Sequence, residues 1–258
     1  MTSRSLPALV TVALLLAAAT AAAQSPSPAD RDIRRGAELY AEGCIGCHGP
    51  QARGVAGLGP AAAAGRTQGA GPSLRDVGAA SLDFYLTTGY MPLRNPEEPP
   101  ERSTPSYSPQ EIDALVAYVE SLSAAPAGPD IPVVHPERGD LQEGLRAFTA
   151  SCAGCHQVVA EGGVVLDGVA PELERATPTQ IAEAIRIGPY LMPKFSEAQI
   201  SDAEIDSIVR YIRYASDPRD DGGWGLGHIG PIPEGLVAWI IAGIVLVGVA
   251  RIIGKRIA

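Results

Sequence analysis

Sulfur is scarce in this chain. Its 258 residues include four cysteines and three methionines, and histidine is equally rare, with four. Positive charge is also short: 20 Lys and Arg stand against 29 Asp and Glu, for a net charge of −9. That balance argues against nucleic acid as a partner, because a phosphate backbone is held by a basic surface. Long apolar runs without charge occur only at the two ends of the chain.

The little sulfur present is arranged in a pattern. Cys44-Ile45-Gly46-Cys47-His48 and Cys152-Ala153-Gly154-Cys155-His156 consume all four cysteines. CxxCH is the attachment signature of c-type haem. The two thiols form thioethers to the haem vinyl groups and the adjacent imidazole ligates the iron. Two CxxC disulfides, or a Cys/His zinc site, are the competing readings. Two copies with no cysteine left over favour two covalently bound haem c groups. The methionines add independent support. Apart from the initiator there are only Met91 and Met192, one downstream of each CxxCH, in Gly89-Tyr90-Met91-Pro92 and Gly188-Pro189-Tyr190-Leu191-Met192-Pro193. A thioether is a soft, neutral sixth ligand that raises the reduction potential of haem iron. The plain alternative is core filler. The candidate iron ligands are therefore His48 with Met91 and His156 with Met192.

The N-terminus reads as an export signal over 1–23. Arg4 precedes an apolar stretch from Leu6 to Ala23 that ends in small residues, followed by Ser25-Pro26-Ser27-Pro28. Retention as an uncleaved anchor is the other reading. At the C-terminus, 235–254 has the length of a bilayer span, with Arg251 near one end and Trp239 near the other. Arg251, Lys255 and Arg256 follow, and Asp217, Asp220, Asp221 and Glu234 precede. This bias predicts a cytoplasmic tail at 255–258, with the rest outside the plasma membrane and in contact with lipid only through the anchor. A buried helix of a soluble protein is the alternative.

Between the ends lies an internal duplication. In both copies a Gly stands eight residues before the first Cys and an aromatic four before it: Gly36 and Tyr40, then Gly144 and Phe148. Each copy closes with a capped amphipathic helix, after Ser108-Pro109-Gln110-Glu111 and after Ser201-Asp202-Ala203-Glu204. Both closing helices carry Glu-Ile-Asp and then a Tyr at one distance, Tyr118 and Tyr211. The predicted organisation is a module at 30–123, a Pro-rich linker at 124–138, a module at 139–216 and a juxtamembrane segment at 217–234. Two long stretches of the first module, Gly49 to Gly71 and Pro92 to Pro105, are expected to be solvated loops. His135 and His228 fall outside both motifs and are expected at the surface.

The order of a helix ending at CxxCH, a Pro-containing loop, a Met-Pro loop and a closing helix resembles the class I cytochrome c fold. The fold class expected is thus mainly α, with two tandem cytochrome c-like domains and one C-terminal transmembrane helix. The resemblance implies that Gly36 and Tyr40 cross Tyr118, and that Gly144 and Phe148 cross Tyr211. It also implies that Pro72 and Pro171 present carbonyls to the ligand imidazoles. The whole chain resembles, more narrowly, the dihaem cytochrome c subunit of the actinobacterial cytochrome bcc complex, a menaquinol–cytochrome c reductase. Met192-Pro193-Lys194-Phe195-Ser196, Gly222-Gly223-Trp224-Gly225-Leu226-Gly227 and Gly230-Pro231-Ile232-Pro233-Glu234-Gly235 carry that likeness. It implies cytochrome b and Rieske iron–sulfur subunits as partners, a terminal cytochrome c oxidase as electron acceptor, and no substrate-converting site in this chain. The Gly/Ala-rich stretch after His48 departs from the pattern. A dihaem peroxidase is a rival, but it needs an open iron position, against which two matched methionines speak. An anchored electron-transfer subunit of another dehydrogenase or oxidase, and a freestanding shuttle, are the others.

Overall fold

The computed structural model describes residues 27–55, 71–94, 100–123, 128–166, 168–218 and 231–257. The export signal, the middle of the Gly/Ala-rich stretch and most of the juxtamembrane segment lie outside these residues, as does His228.

Helix α1 (Pro28–Gly43) begins where the sequence offers a start signal. Ser27 accepts from the Asp30 backbone N–H, the Asp30 carboxylate accepts from Ser27, and Pro28 takes the first helical position. A one-turn helix α2 (Ile45–His48) carries the first CxxCH. It is followed by α3 (Ala79–Thr87) and α4 (Pro109–Ser121), the latter opened by the Ser108–Glu111 capping box. The second module repeats the order. Helix α5 (Leu141–Ser151) leads into the one-turn α6 (Ala153–His156), and a small antiparallel hairpin follows, β1 (Gly163–Val165) with β2 (Gly168–Ala170). Helices α7 (Pro178–Ile187) and α8 (Asp202–Ser216) complete it. Reciprocal Ser201–Glu204 hydrogen bonds cap α8.

First and last helices cross in each module, α1 with α4 and α5 with α8. The crossings are so close that only glycine fits. A Cβ on Gly36 would lie 1.9 Å from the Ala114 carbonyl oxygen, and one on Gly144 would lie 1.9 Å from that of Ser207. Beside each glycine two aromatic rings meet: Tyr40 with Tyr118 at 5.4 Å between centroids, and Phe148 with Tyr211 at 5.3 Å. The duplication in sequence is thus a duplication of a tertiary contact. Two separate apolar clusters form, one around Leu39, Tyr40, Ile112 and Leu115, the other around Phe148, Ile205, Ile208 and Ile212.

Two helices and the hairpin had not been expected. Helix α3 shows no amphipathic stripe, because its apolar residues are spread around the helix: Ala80, Leu82, Phe84 and Leu86 are all buried. It packs on α4 and on α7 of the other module. Helix α7 does carry a readable signal, the capping box of Thr177 with Gln180 and Pro178 at its first position.

The described residues up to Ser216 form one compact unit, and those from Asp217 onward another. The second unit is the helix α9 (Pro231–Ile257). Its stretch Gly235–Lys255, 21 residues, is long and apolar enough to cross a membrane, and none of it is buried. At about 1.5 Å per residue it matches the roughly 30 Å hydrocarbon core of a bilayer.

Candidate haem-binding sites

Each CxxCH sits at the end of a helix that stops on its first cysteine. The Cys44 N–H donates to the Tyr40 carbonyl and the Cys152 N–H to that of Phe148, so the aromatic at the helix crossing also fixes the first thiol. All four cysteines are among the described residues, and none is paired in a disulfide. Among the described residues no cluster of three or more His, Cys, Asp or Glu that could hold a metal ion is found. Burial pushes the Cys44 and Cys152 thiols up to about 11, with the neighbouring Cys47 and Cys155 adding to the shift.

The loops after the motifs fold alike. Gly54 N–H donates to the His48 carbonyl and Gly162 N–H to that of His156; Leu74 N–H donates to Ala52 and Leu173 N–H to Ala160. A tyrosine hydroxyl ties each loop down. Tyr40 of α1 donates to the Gly49 carbonyl at 2.8 Å, and Tyr211 of α8 donates to that of Val158 at 2.6 Å. The second module uses its last helix because Phe148, at the position of Tyr40, has no hydroxyl. The Gly/Ala-rich stretch leaves from a pinned base, where Val55 N–H donates to the Gly71 carbonyl and Gly71 N–H to that of Cys47.

These loops bring the proline carbonyls to the imidazoles. His48 Nδ1 lies 2.9 Å from the Pro72 oxygen and His156 Nδ1 lies 3.0 Å from the Pro171 oxygen. A carbonyl only accepts, so each Nδ1 carries the proton and each Nε2 presents its lone pair. Burial holds the His156 imidazole below the ordinary histidine range, with the Pro171 carbonyl acting in the opposite sense. A neutral imidazole with a fixed tautomer is what an iron ligand requires. Met91 is half-buried against the first apolar cluster, as is Cys44, and Met192 and Cys152 pack against the second. The Met91 N–H donates to the Tyr85 carbonyl and the Met192 N–H to the Pro189 carbonyl. The residues present therefore fit one covalently tethered haem in each module. His135 points elsewhere, its ring beside Glu137.

The family comparisons divide the chain at the same two motifs. Residues 33–123 match the family described as "Cytochrome c", and residues 139–212 match "Cytochrome C oxidase, cbb3-type, subunit III". Over 262 residues the chain is 36% identical to the "Cytochrome bc1 complex cytochrome c subunit" of Mycobacterium tuberculosis (strain ATCC 25618 / H37Rv), covering 96% of this chain and 89% of the relative. The chain belongs to the family of cytochrome bc1 complex cytochrome c subunits. The Mycobacterium leprae (strain TN) relative of that name is also 36% identical, with 96% and 86% covered, and the one from Corynebacterium diphtheriae is 34% identical, with 87% and 81% covered. As a member of this family the chain takes part in electron transfer, and its two cytochrome c domains imply covalently bound haem c. Its single apolar C-terminal helix fits a membrane anchor.

Some residues near the sites had escaped the sequence reading. Tyr85, Tyr90 and Tyr190 form a cluster of rings between the modules. The repeat of a Tyr in both Met contexts was the available signal. Glu183 of α7 is completely buried, and no donor reaches either of its oxygens. It faces Asp83 of α3, and burial first, then Asp83, push its carboxyl up to about 10. Nothing in the sequence marks this pair, because it spans two modules.

Proposed function

We propose that this chain binds two haem c groups and relays electrons, as a membrane-anchored subunit, from a Rieske iron–sulfur protein to a terminal cytochrome c oxidase. In this reading Cys44 and Cys47 tether the first haem, with His48 and Met91 as iron ligands. Cys152 and Cys155 tether the second, with His156 and Met192. Haem c, when bound, supplies a one-electron iron couple. The protein's own residues set its conditions. The Pro72 and Pro171 carbonyls hold the ligand rings in one tautomer and raise their basicity. The Met91 and Met192 thioethers would favour the reduced metal and would leave the iron closed to exogenous ligands. No acid, base or nucleophile is called for.

The observation that carries the reading is the repeat itself: two modules, each with a CxxCH helix, a proline carbonyl on the histidine Nδ1 and a methionine packed on the core. The relatives' name, a subunit of a cytochrome bc1 complex, supports placement beside cytochrome b and Rieske subunits in a quinol–cytochrome c reductase. A fixed relay in the same supercomplex as the oxidase then replaces a diffusing cytochrome. The charges after the apolar helix support a cytoplasmic tail and haem modules on the extracytoplasmic side of the plasma membrane. Domain limits of 30–123 and 139–216 follow from the motifs.

A subunit of another oxidase is the second reading, favoured by the match of residues 139–212 to a cbb3-type oxidase subunit. Purification of the tagged chain from its native membranes in mild detergent, followed by a reduced-minus-oxidised spectrum, separates the two. Co-purifying b-type haem with a Rieske protein supports the reductase, and a-type haem in addition supports the supercomplex. An oxidase without the Rieske protein overturns the first reading in favour of the second.

A further inference from the structure

The Met91 loop is shaped by residues of both modules. Within its own module, the Met91 N–H donates to the Tyr85 carbonyl at 2.9 Å, and Tyr90 is the residue before it. The ring of Tyr190, two residues before Met192, packs on both of these. Its centroid lies 5.8 Å from that of Tyr85 at an interplanar angle of 85°, and 5.4 Å from that of Tyr90 at 64°. Both are edge-to-face arrangements, the attractive geometry for aromatic quadrupoles. Tyr85 and Tyr90 also contact each other edge to face at 6.3 Å, so the three rings close a triangle.

Two further features make this contact more than incidental. Tyr190 has φ = 53°, in the left-handed region that a bulky side chain adopts only when its surroundings hold it there. The ring is aimed at the first module by a backbone that would otherwise relax. The other end of the Met91 loop is tied across the same boundary. Ser103 bonds to the carbonyls of Thr88 and Gly89. Its neighbour Arg102 donates to the Gln180 side chain at 2.7 Å and to the Arg175 carbonyl at 3.2 Å. Gln180 in turn donates to Thr87 at 3.2 Å.

We propose that Tyr190 of the second module is a positioning residue for Met91 of the first, setting the approach of its thioether through Tyr85 and Tyr90. The proposal rests on the reading of Met91 and Met192 as iron ligands. Its consequence is that the first module's ligation strength depends on the conformation of the second module's methionine loop. The potentials of the two centres are then set jointly.

The test uses the full-length holo-chain in detergent. In a Met192→Ala background, the far-red methionine-to-iron absorption of the oxidised protein reports Met91 alone. Adding Tyr190→Ala is expected to weaken that band and to shift the first module's midpoint potential downward. Tyr190 is 54% exposed, and Arg102, Gln180 and Thr87 still hold α3 to α7, so the modules remain docked. Tyr190→Phe keeps the ring and is expected to keep both band and potential. Tyr90→Ala and Tyr190→Ala together are expected to lose less than the sum of the two single losses, as for residues acting through a shared contact. An unchanged band and potential in Tyr190→Ala overturns the proposal, as does an equal loss with Tyr190→Phe. If the Met192→Ala parent already lacks the far-red band, the ligand reading of Met91 fails first, and the proposal falls with it.

Discussion

Glu183 offers a stability test that depends on pH and is independent of electron transfer. It is completely buried between α7 and α3, and its oxygens meet no donor. Asp83 opposite is itself raised by burial, while its hydrogen bond with Glu183 pulls it back down. The proton of the pair therefore sits on Glu183, which donates to Asp83. The Glu183 carboxyl is raised from 4.5 in the unfolded chain to about 10 in the fold. Folding then favours the protonated form. The stability this group contributes is fully present below its unfolded value and is lost as pH rises toward the folded one. In that window the slope is about 1.4 kcal/mol per pH unit. Between pH 6 and pH 8 the loss is about 2.7 kcal/mol for any folded value a unit or more above 8. Glu183→Gln removes the titration, and its amide can donate to Asp83 in place of the shared proton. Chemical denaturation of variant and parent holo-chain at the two pH values gives the comparison, and other titrating groups cancel in the difference. The variant's advantage is expected to grow by about 2.7 kcal/mol from pH 6 to pH 8. An advantage of equal size at both would mean that Glu183 ionises in the fold and that the buried-proton account is wrong.

Two other outcomes are expected. Met91→Ala and Met192→Ala should each lower the potential of one haem and open that iron to carbon monoxide, read by redox titration and by the spectrum under carbon monoxide; unchanged potentials without carbon monoxide binding would remove the methionines from the ligand set. Gly144→Ala brings a methyl to 1.9 Å from the Ser207 oxygen and 2.9 Å from Tyr211 Cβ. Forcing α5 from α8 should cost about 1–3 kcal/mol in denaturation, more than the roughly 1 kcal/mol that alanine gains over glycine in helix propensity; Gly36→Ala should behave alike.

What the sequence made legible was whatever is written locally or written twice. The CxxCH pairs, the Met-Pro loops and the Ser108 and Ser201 caps are local signals. The Gly36–Tyr40–Tyr118 and Gly144–Phe148–Tyr211 crossings followed from the resemblance, and the structure contains both. Helix α3 was hidden because it is buried by its own module and by α7, which erases the one-sided stripe that marks a helix. The β1–β2 hairpin was hidden because three-residue strands are too short for alternation to register. The Asp83–Glu183 pair and the three-tyrosine cluster join residues about a hundred positions apart. Only the docking of two modules brings them together, and no spacing rule within one module describes it.

The central claim is one haem in each of two repeated sites, and covalent haem content per chain tests it most directly. The purified full-length chain is expected to hold two haem c groups. The double substitutions Cys44→Ala with Cys47→Ala, and Cys152→Ala with Cys155→Ala, are each expected to leave one. A single haem in the parent chain, or a double substitution that leaves the count unchanged, would contradict the account.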